Sequence, residues 1–461
     1  MRSRLLLALL AFSIALPSFA ASEEPVAEEE VVEEFNLSSL PSMPIVALDA
    51  FGGRGFDTPL ALEPDGEGGA LALFEADGYF MLGPSDVNSK IAPMNVARWG
   101  SDFKWVWSEK IKRIVKDSSL PVAMCSSGGR VWYGGSETAR KNGDVEYCDI
   151  FLQSLDMKKH DVSSDRIGGP LDDRITAMTS DGAEGCWIAG SIGGQCTEGA
   201  WKFKGDEFQP FIGKVSGKAE LKEVYAISAT GALEVEDMTP DGEGGCWMVG
   251  VFEGAASFGK TMLTPGEGRS RGIFLAHLSA KGEWRNVQRL SCGDDCEVKY
   301  ISWSPSRKIG AIGGTFSTMV IFGDREGYSS SGSSAFAAIF DERGSWKELN
   351  VFQPDNYSSC GGVLIDGKSG IWFGLNYNAG EGIRNPKFHP KTALLHLTDD
   401  LSPDSAVREI ESEAATIRDL AARNGTGCYL IGMFRESIAV KGRKAESVGE
   451  YDIFIAAASS E

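Results

Sequence analysis

One motif recurs along this chain at a nearly constant interval, and that interval limits the folds open to it. An apolar run is followed by a Gly-rich turn, then by a second apolar run carrying an aromatic residue, then by Gly. The clearest copies are ITAMTSDGAEGCWIAGS (175–191), VEDMTPDGEGGCWMVGV (235–251) and GVLIDGKSGIWFGL (362–375). Weaker copies are LALEPDGEGGALALF (60–74), VAMCSSGGRVWYGGS (122–136), ISWSPSRKIGAIGGT (301–315) and LAARNGTGCYLIGMF (420–434). The aromatic position is held in turn by Leu71, Trp132, Trp187, Trp247, Gly310, Trp372 and Tyr429, at steps of 61, 55, 60, 63, 62 and 57 residues. Solenoid units are usually shorter, and helical repeats would show a 3.6-residue period. These runs alternate and are rich in Val, Ile, Phe and Trp, which predicts strands.

A second feature recurs in phase: GIFLAHLSAKGEW (272–284), SAFAAIFDERGSW (334–346), CDIFLQSLD (148–156) and GAWKFKGDEF (199–208). Each unit therefore holds four strands: A before the Gly turn, B after it, then C and D. Four antiparallel strands repeated radially make a propeller blade. The expectation is an all-β, seven-bladed β-propeller over residues 39–461.

The stretch GIFLAHLSAKGEWRNVQRLSCGDDCEVKYISWSPSRKIGAIGGTF resembles the bacterial β-propeller repeat called SBBP. LDDRITAMTSDGAEGCWIAGSIGG, with GAWKFKGDEFQPF after it, is similar to the propeller repeat of two-component regulators. Both resemblances imply a fold and neither implies a catalytic residue. Gly310 at the aromatic position departs from both patterns.

The two ends should meet. YDIFIAAAS (451–459) matches strand C of an unfinished last unit, and MPIVALDAFGG (43–53) is in phase with strand D. Residues 44–51 are thus expected to supply the outer strand of the last blade, which would leave no open seam.

Ahead of the repeats, Met1 to Ala20 has the form of a secretory signal: Arg2 and Arg4, an apolar core from Leu5 to Leu16, then Pro17 and small residues. Residues 21–38 are acidic and of low complexity, which predicts a disordered leader. A secreted or periplasmic protein is expected. A net charge of −20 argues against nucleic acid and anionic lipid as partners. No later apolar run reaches the ~18 residues of a membrane span.

The nine cysteines include two local pairs, Cys292 with Cys296 and, next, Cys186 with Cys196, that an oxidising compartment would let bond. Cys186, Cys246 and Cys428 share one repeat position, so they point the same way around the ring and are expected to be packing residues.

Few motifs suggest chemistry. GRSRG (268–272) matches a nucleophile-elbow string, but Ser270 falls in a polar loop without the strand-to-helix turn that such a serine needs. His277 and His396 fall among apolar residues of C strands and read as structural. Asp65, Asp181, Asp241 and Asp366 in Asp-Gly turns read as turn residues, with calcium a remote alternative. No catalytic residue and no cofactor site stands out.

The D-to-A connections, by contrast, are acidic: Asp172, Asp173, Glu234, Glu236, Asp237, Asp294, Asp295, Asp355, Glu411 and Glu413. In a propeller these lie on the face that also carries the B-to-C loops. Carboxylates around one mouth would attract a cation or a basic partner; the plainer reading is that acidic loops match an acidic chain. B-to-C loops such as 251–272 and 376–392 are long enough to bind something or to be hairpin extensions. The functional expectation is a monomeric, exported, non-enzymatic binding or scaffold protein whose partner is a protein, glycan or cation. The alternatives are a glycan-active hydrolase or lyase and, more remotely, a sensor module.

Overall fold

The computed structural model describes residues 35–461 except 91–92, 112–121, 143–144, 199–200, 206–207, 294, 331, 355, 369, 379–389, 408–409, 424–426, 441–442 and 460–461. The expected signal and nearly all of the leader lie outside the described residues. The leader's end differs from expectation. Leu37–Ser39 form a 3-10 turn capped by Asn36, and the Phe35 ring meets Phe352 edge-on at 5.6 Å. An aromatic side chain that can reach the core is not left in solvent.

Four-stranded antiparallel sheets follow one another along the chain, and the fold is a β-propeller. The first blade is Thr58–Pro64, Ala70–Glu75, Met94–Trp99 and Trp105–Ile111. The second is Val122–Ser127, Arg130–Asn142, Val145–Asp156 and Val162–Ile167. The third is Arg174–Ser180, Cys186–Gly193, Phe208–Val215 and Leu221–Ala226. The fourth is Leu233–Pro240, Cys246–Glu253, Arg271–Leu278 and Trp284–Cys292. The fifth is Glu297–Ser304, Ile309–Phe316, Ser334–Asp341 and Trp346–Phe352, and the sixth is Tyr357–Ile365, Ile371–Asn378, Pro390–Leu397 and Pro403–Val407. The last joins Glu411–Arg423, Gly427–Val440 and Asp452–Ser459 to Ile45–Phe51 from the other end of the chain. Each A strand lies beside the A strands of the blades before and after it, and that of the last blade lies beside that of the first.

The closing strand runs antiparallel to Asp452–Ser459, with Phe51 opposite Ile453 and Ile45 opposite Ala458. Its side chains reach the next blade as well. Phe51 meets Phe74 and Trp105 edge-on, each at 5.0 Å, and Asp49 Oδ2 accepts the Trp105 indole N–H at 2.8 Å.

In four blades the Gly-rich A-to-B turn has one construction. Asp65, Asp181, Asp241 and Asp366 each accept, on Oδ1, the N–H groups two and four residues on, at 2.7–3.0 Å. In three of them Oδ2 is held by a base at one repeat position of strand C: Arg98 Nε at 2.7 Å, His277 Nε2 at 2.9 Å and His396 Nε2 at 3.3 Å. Each base stands opposite the marker residue of strand B: Leu71, Trp247 or Trp372. Those histidines therefore serve turns. Gly310 breaks the marker pattern for a packing reason. A Cβ there would lie 2.1 Å from Cζ of Phe340, its cross-strand partner, whose ring also meets Trp247 at 5.0 Å. The aromatic has moved from strand B to strand C.

One strand assignment changes. GAWKF was expected to be strand C of the third blade, but Trp201–Phe203 pairs with Cys196–Glu198 as a side hairpin, and Phe208–Val215 takes the C position. Long B-to-C loops also fold back into hairpins. Their tips, Gly83, Gly259 and Gly323, lie against Trp105, Trp284 and Trp346, the first residues of the D strands. Blades splay apart with radius, and these hairpins fill the widening wedge.

Candidate functional site

Two hollows deserve description: the axial channel and a cavity on the D-to-A face. Inner strands of every blade line the channel, which encloses about 550 Å³. Six of those strands carry a one-residue register shift at the same place, at Leu60, Thr176, Glu236, Lys299, Gly361 and Arg418. A bulge bends a strand and re-aims its side chains. Immediately after two of these bulges stand Asp237 and Asp419, in equivalent positions. Asp237 accepts Met238 N at 2.7 Å and Ile301 N of the next blade at 2.8 Å. Asp419 accepts Leu420 N at 2.8 Å and Leu62 N of the first blade at 2.7 Å. These carboxylates therefore join neighbouring inner strands. Burial, and for Asp237 the charge of Asp419, push the two up to about 8 and about 7 despite the N–H groups that favour ionisation. Glu63 lies in the same channel, and its side chain makes no hydrogen bond among the described residues; burial, then Asp419 and Asp237, raise its carboxyl well above the usual range. Tyr300 of the fifth blade donates to Arg418 O of the last blade at 3.1 Å.

The second hollow, about 640 Å³, opens between the third and fourth blades. Phe211, Ile227, Leu233, Val251 and Phe252 give it apolar walls, and Arg174, Glu234, Glu253 and Arg271 bring charge to its edge. The Arg174 guanidinium lies over the Phe208 ring at 5.3 Å.

The eight described acidic candidates do not share one setting. Asp172 accepts Cys148 N at 2.9 Å, and Asp173 accepts Gly169 N and Gly193 N, both at 2.7 Å. Asp57, which sequence reasoning missed, makes the same pair of bonds in the first blade, to Gly53 N and Asp77 N at 2.7 Å. The shared signal is a Gly four residues before the Asp. Glu413 pairs with Arg435 at 2.9 Å. Glu236 and Asp237 line the channel, and Glu234 lines the cavity. Asp295 and Glu411 are exposed, while Asp294 and Asp355 lie outside the described residues. Cations are interspersed: Lys299 and Arg418 in the channel, Arg174 and Arg271 at the cavity. Among the described residues, no three His, Cys, Asp or Glu side chains converge to hold a metal ion.

No disulfide joins any two cysteines of the described residues. The first expected pair, Cys292 with Cys296, forms no disulfide; the neighbouring Cys292 thiol and burial push the Cys296 thiol up. Cys186 sits in the third blade's B strand, away from Cys196 in the side hairpin, so that expected pair does not form. It faces Cys125 of the second blade instead. Register decides this, because Cys196 lies past the end of the strand that carries Cys186. No helix of the described residues is long and apolar enough to cross a membrane.

Solved structures with a similar fold include hydrazine synthase from Kuenenia stuttgartiensis, at 11% identity and a TM-score of 0.46 over 81% of this chain and 92% of that one. The Dos1 propeller is similar at 11% identity and 0.45, over 91% and 95%. A protein of unknown function from Dyadobacter fermentans is similar at 9% and 0.42, over 91% and 100%. At such identities and scores these likenesses carry no argument about ligand or reaction. No family model matches the chain, and no curated protein matches it.

Proposed function

We propose that this chain is an exported, seven-bladed binding or scaffold propeller that receives a partly apolar ligand group in the cavity between its third and fourth blades. The count of seven is supported by the cyclic succession of inner strands, and export by the character of residues 1–20. The observation that carries the binding reading is the cavity itself: about 640 Å³, apolar within and charged at its edge, on the loop face of a rigid ring. Nile red, a neutral apolar dye, tests it. Its fluorescence should rise with the wild-type protein and stay low with Leu233→Trp, a variant that fills the cavity, at an unchanged melting temperature. Dye binding undiminished by that substitution would remove the proposal.

A glycan-active hydrolase or lyase is the second reading, and Glu63 favours it. Burial, then the charges of Asp419 and Asp237, raise its carboxyl well above the usual range within the channel, which is the environment of a general acid. Release of reducing ends from a polysaccharide panel, abolished by Glu63→Gln, would support it. No release by the wild-type protein would end it.

A further inference from the structure

Three arginines of the fourth blade gather around one small hollow. Arg269 belongs to the B-to-C loop, Arg271 opens strand C, and Arg289 lies on strand D opposite Phe274. The three line a small hollow of about 200 Å³, together with Ser291, Cys292 and Gly293. The loop doubles back so that Arg269 N donates to Gly266 O at 3.0 Å. This brings two guanidinium groups over a bare glycine: a Cβ on Gly266 would lie 2.6 Å from Arg289 Nη1 and 3.7 Å from Arg269 Nε.

Elsewhere arginines pair with carboxylates, as Arg98 does with Asp65 and Glu67, Arg166 with Glu137, and Arg435 with Glu413. None of Arg269, Arg271 and Arg289 has an ion pair or a side-chain hydrogen bond to protein among the described residues. Like charges held together repel, and a chain with 65 acidic residues against 45 basic ones had carboxylates to spare for them. A planar guanidinium presents paired N–H donors that match the oxygens of phosphate, sulfate or carboxylate.

We propose that Arg269, Arg271 and Arg289 form a binding site for an oxyanion, either free or as the anionic group of a larger ligand. The hollow's volume suits a group of that size. Arg271 also borders the apolar cavity, so an oxyanion held here would sit beside a ligand group held there. The site stands without that link. Ser270, within the GRSRG string, then lies between two ligand-binding arginines rather than acting as a nucleophile.

Thermal shift with inorganic phosphate, sulfate and acetate, each against sodium chloride at equal ionic strength, tests the proposal. A ligand that binds only the folded state raises the melting temperature with concentration. At least one oxyanion should stabilise the wild-type protein beyond chloride. Arg269→Ala and Arg289→Ala should each lose most of that shift, and the double variant all of it. Which anion acts identifies the source, phosphoryl, sulfuryl or carboxylate. No excess shift over chloride, or a shift that survives in the double variant, would overturn the site. The Leu233→Trp protein should keep the anion response, which separates failure of this site from failure of the apolar cavity.

Discussion

Phe51 tests the closure of the ring with a single atom-level change. Its backbone belongs to the last blade, paired with Ile453, while its ring lies against Phe74 and Trp105 of the first. Phe51→Ala leaves the ladder intact and removes a side chain that is 7% exposed. Truncating a buried Phe to Ala costs about 3–5 kcal/mol, of which each edge-on aromatic contact contributes about 0.5–1.5. A domain's whole margin is about 5–15 kcal/mol, so the variant should fold with a much lower urea midpoint and an unchanged slope. Intrinsic tryptophan fluorescence and circular dichroism would follow the transition. Val448→Ala, at a position 69% exposed, should change stability by less than about 0.5 kcal/mol. Combining Phe51→Ala with Trp105→Ala should cost less than the sum of the two, since they remove one shared contact. A loss below about 1 kcal/mol in Phe51→Ala would mean that the seam is not held by this ring, and the reasoning would fail.

Other expectations concern charge. Asp237 and Asp419 are raised to about 8 and about 7, so their folded-state advantage is present below the ordinary carboxylate range and is lost as pH rises through 7–8. The melting temperature should fall between pH 5 and pH 9, and Asp237→Asn should flatten that fall; an unchanged slope would contradict it. At His396, burial pulls the pKa down, but hydrogen bonds to Asp366 and Asp404 outweigh it and leave it raised. Its stabilisation is present below about 6.5 and lost as pH climbs through the folded value. His396→Gln should cost about 1–3 kcal/mol at pH 6 and clearly less at pH 9, measured by urea titration. Asp173→Ala orphans two buried N–H groups and should cost about 2–4 kcal/mol, whereas Asp295→Ala on an exposed corner should cost under about 0.5. Equal effects would show that the acidic corners are not divided between structure and surface.

The blade pattern was legible in the sequence because strand and turn signals are local, and the closing strand because it keeps the phase of the repeat. An Asp-Gly turn between two alternating runs specifies a hairpin wherever it occurs, and MPIVALDAFGG stands in phase with the D strands of the repeat. GAWKF misled because a short alternating run satisfies the same local rule in a side hairpin as in a blade; only pairing with Cys186–Gly193 selects Phe208–Val215. Likewise, no spacing announced that Asp241 and Asp366 would be gripped by His277 and His396, residues 36 and 30 positions away on the neighbouring C strands.

The candidate site was far less legible. Counting acids along D-to-A connections treats them as one class, but what a carboxylate does depends on which N–H or guanidinium lies within 3 Å. Asp173 faces its own corner, Asp237 a neighbouring blade and Glu63 an enclosed lumen. The unpaired arginines were invisible for the same reason, since a charge is unpaired only with respect to its surroundings. Sequence alone determined the repeat, the strand grammar and the phase that marks the two ends as partners, because short-range backbone geometry sets the strands and turns and the repeat sets their order. Tertiary structure decided which polar groups are already satisfied and which remain free for a ligand, because hydrogen bonding and Coulomb energy depend on distance in space.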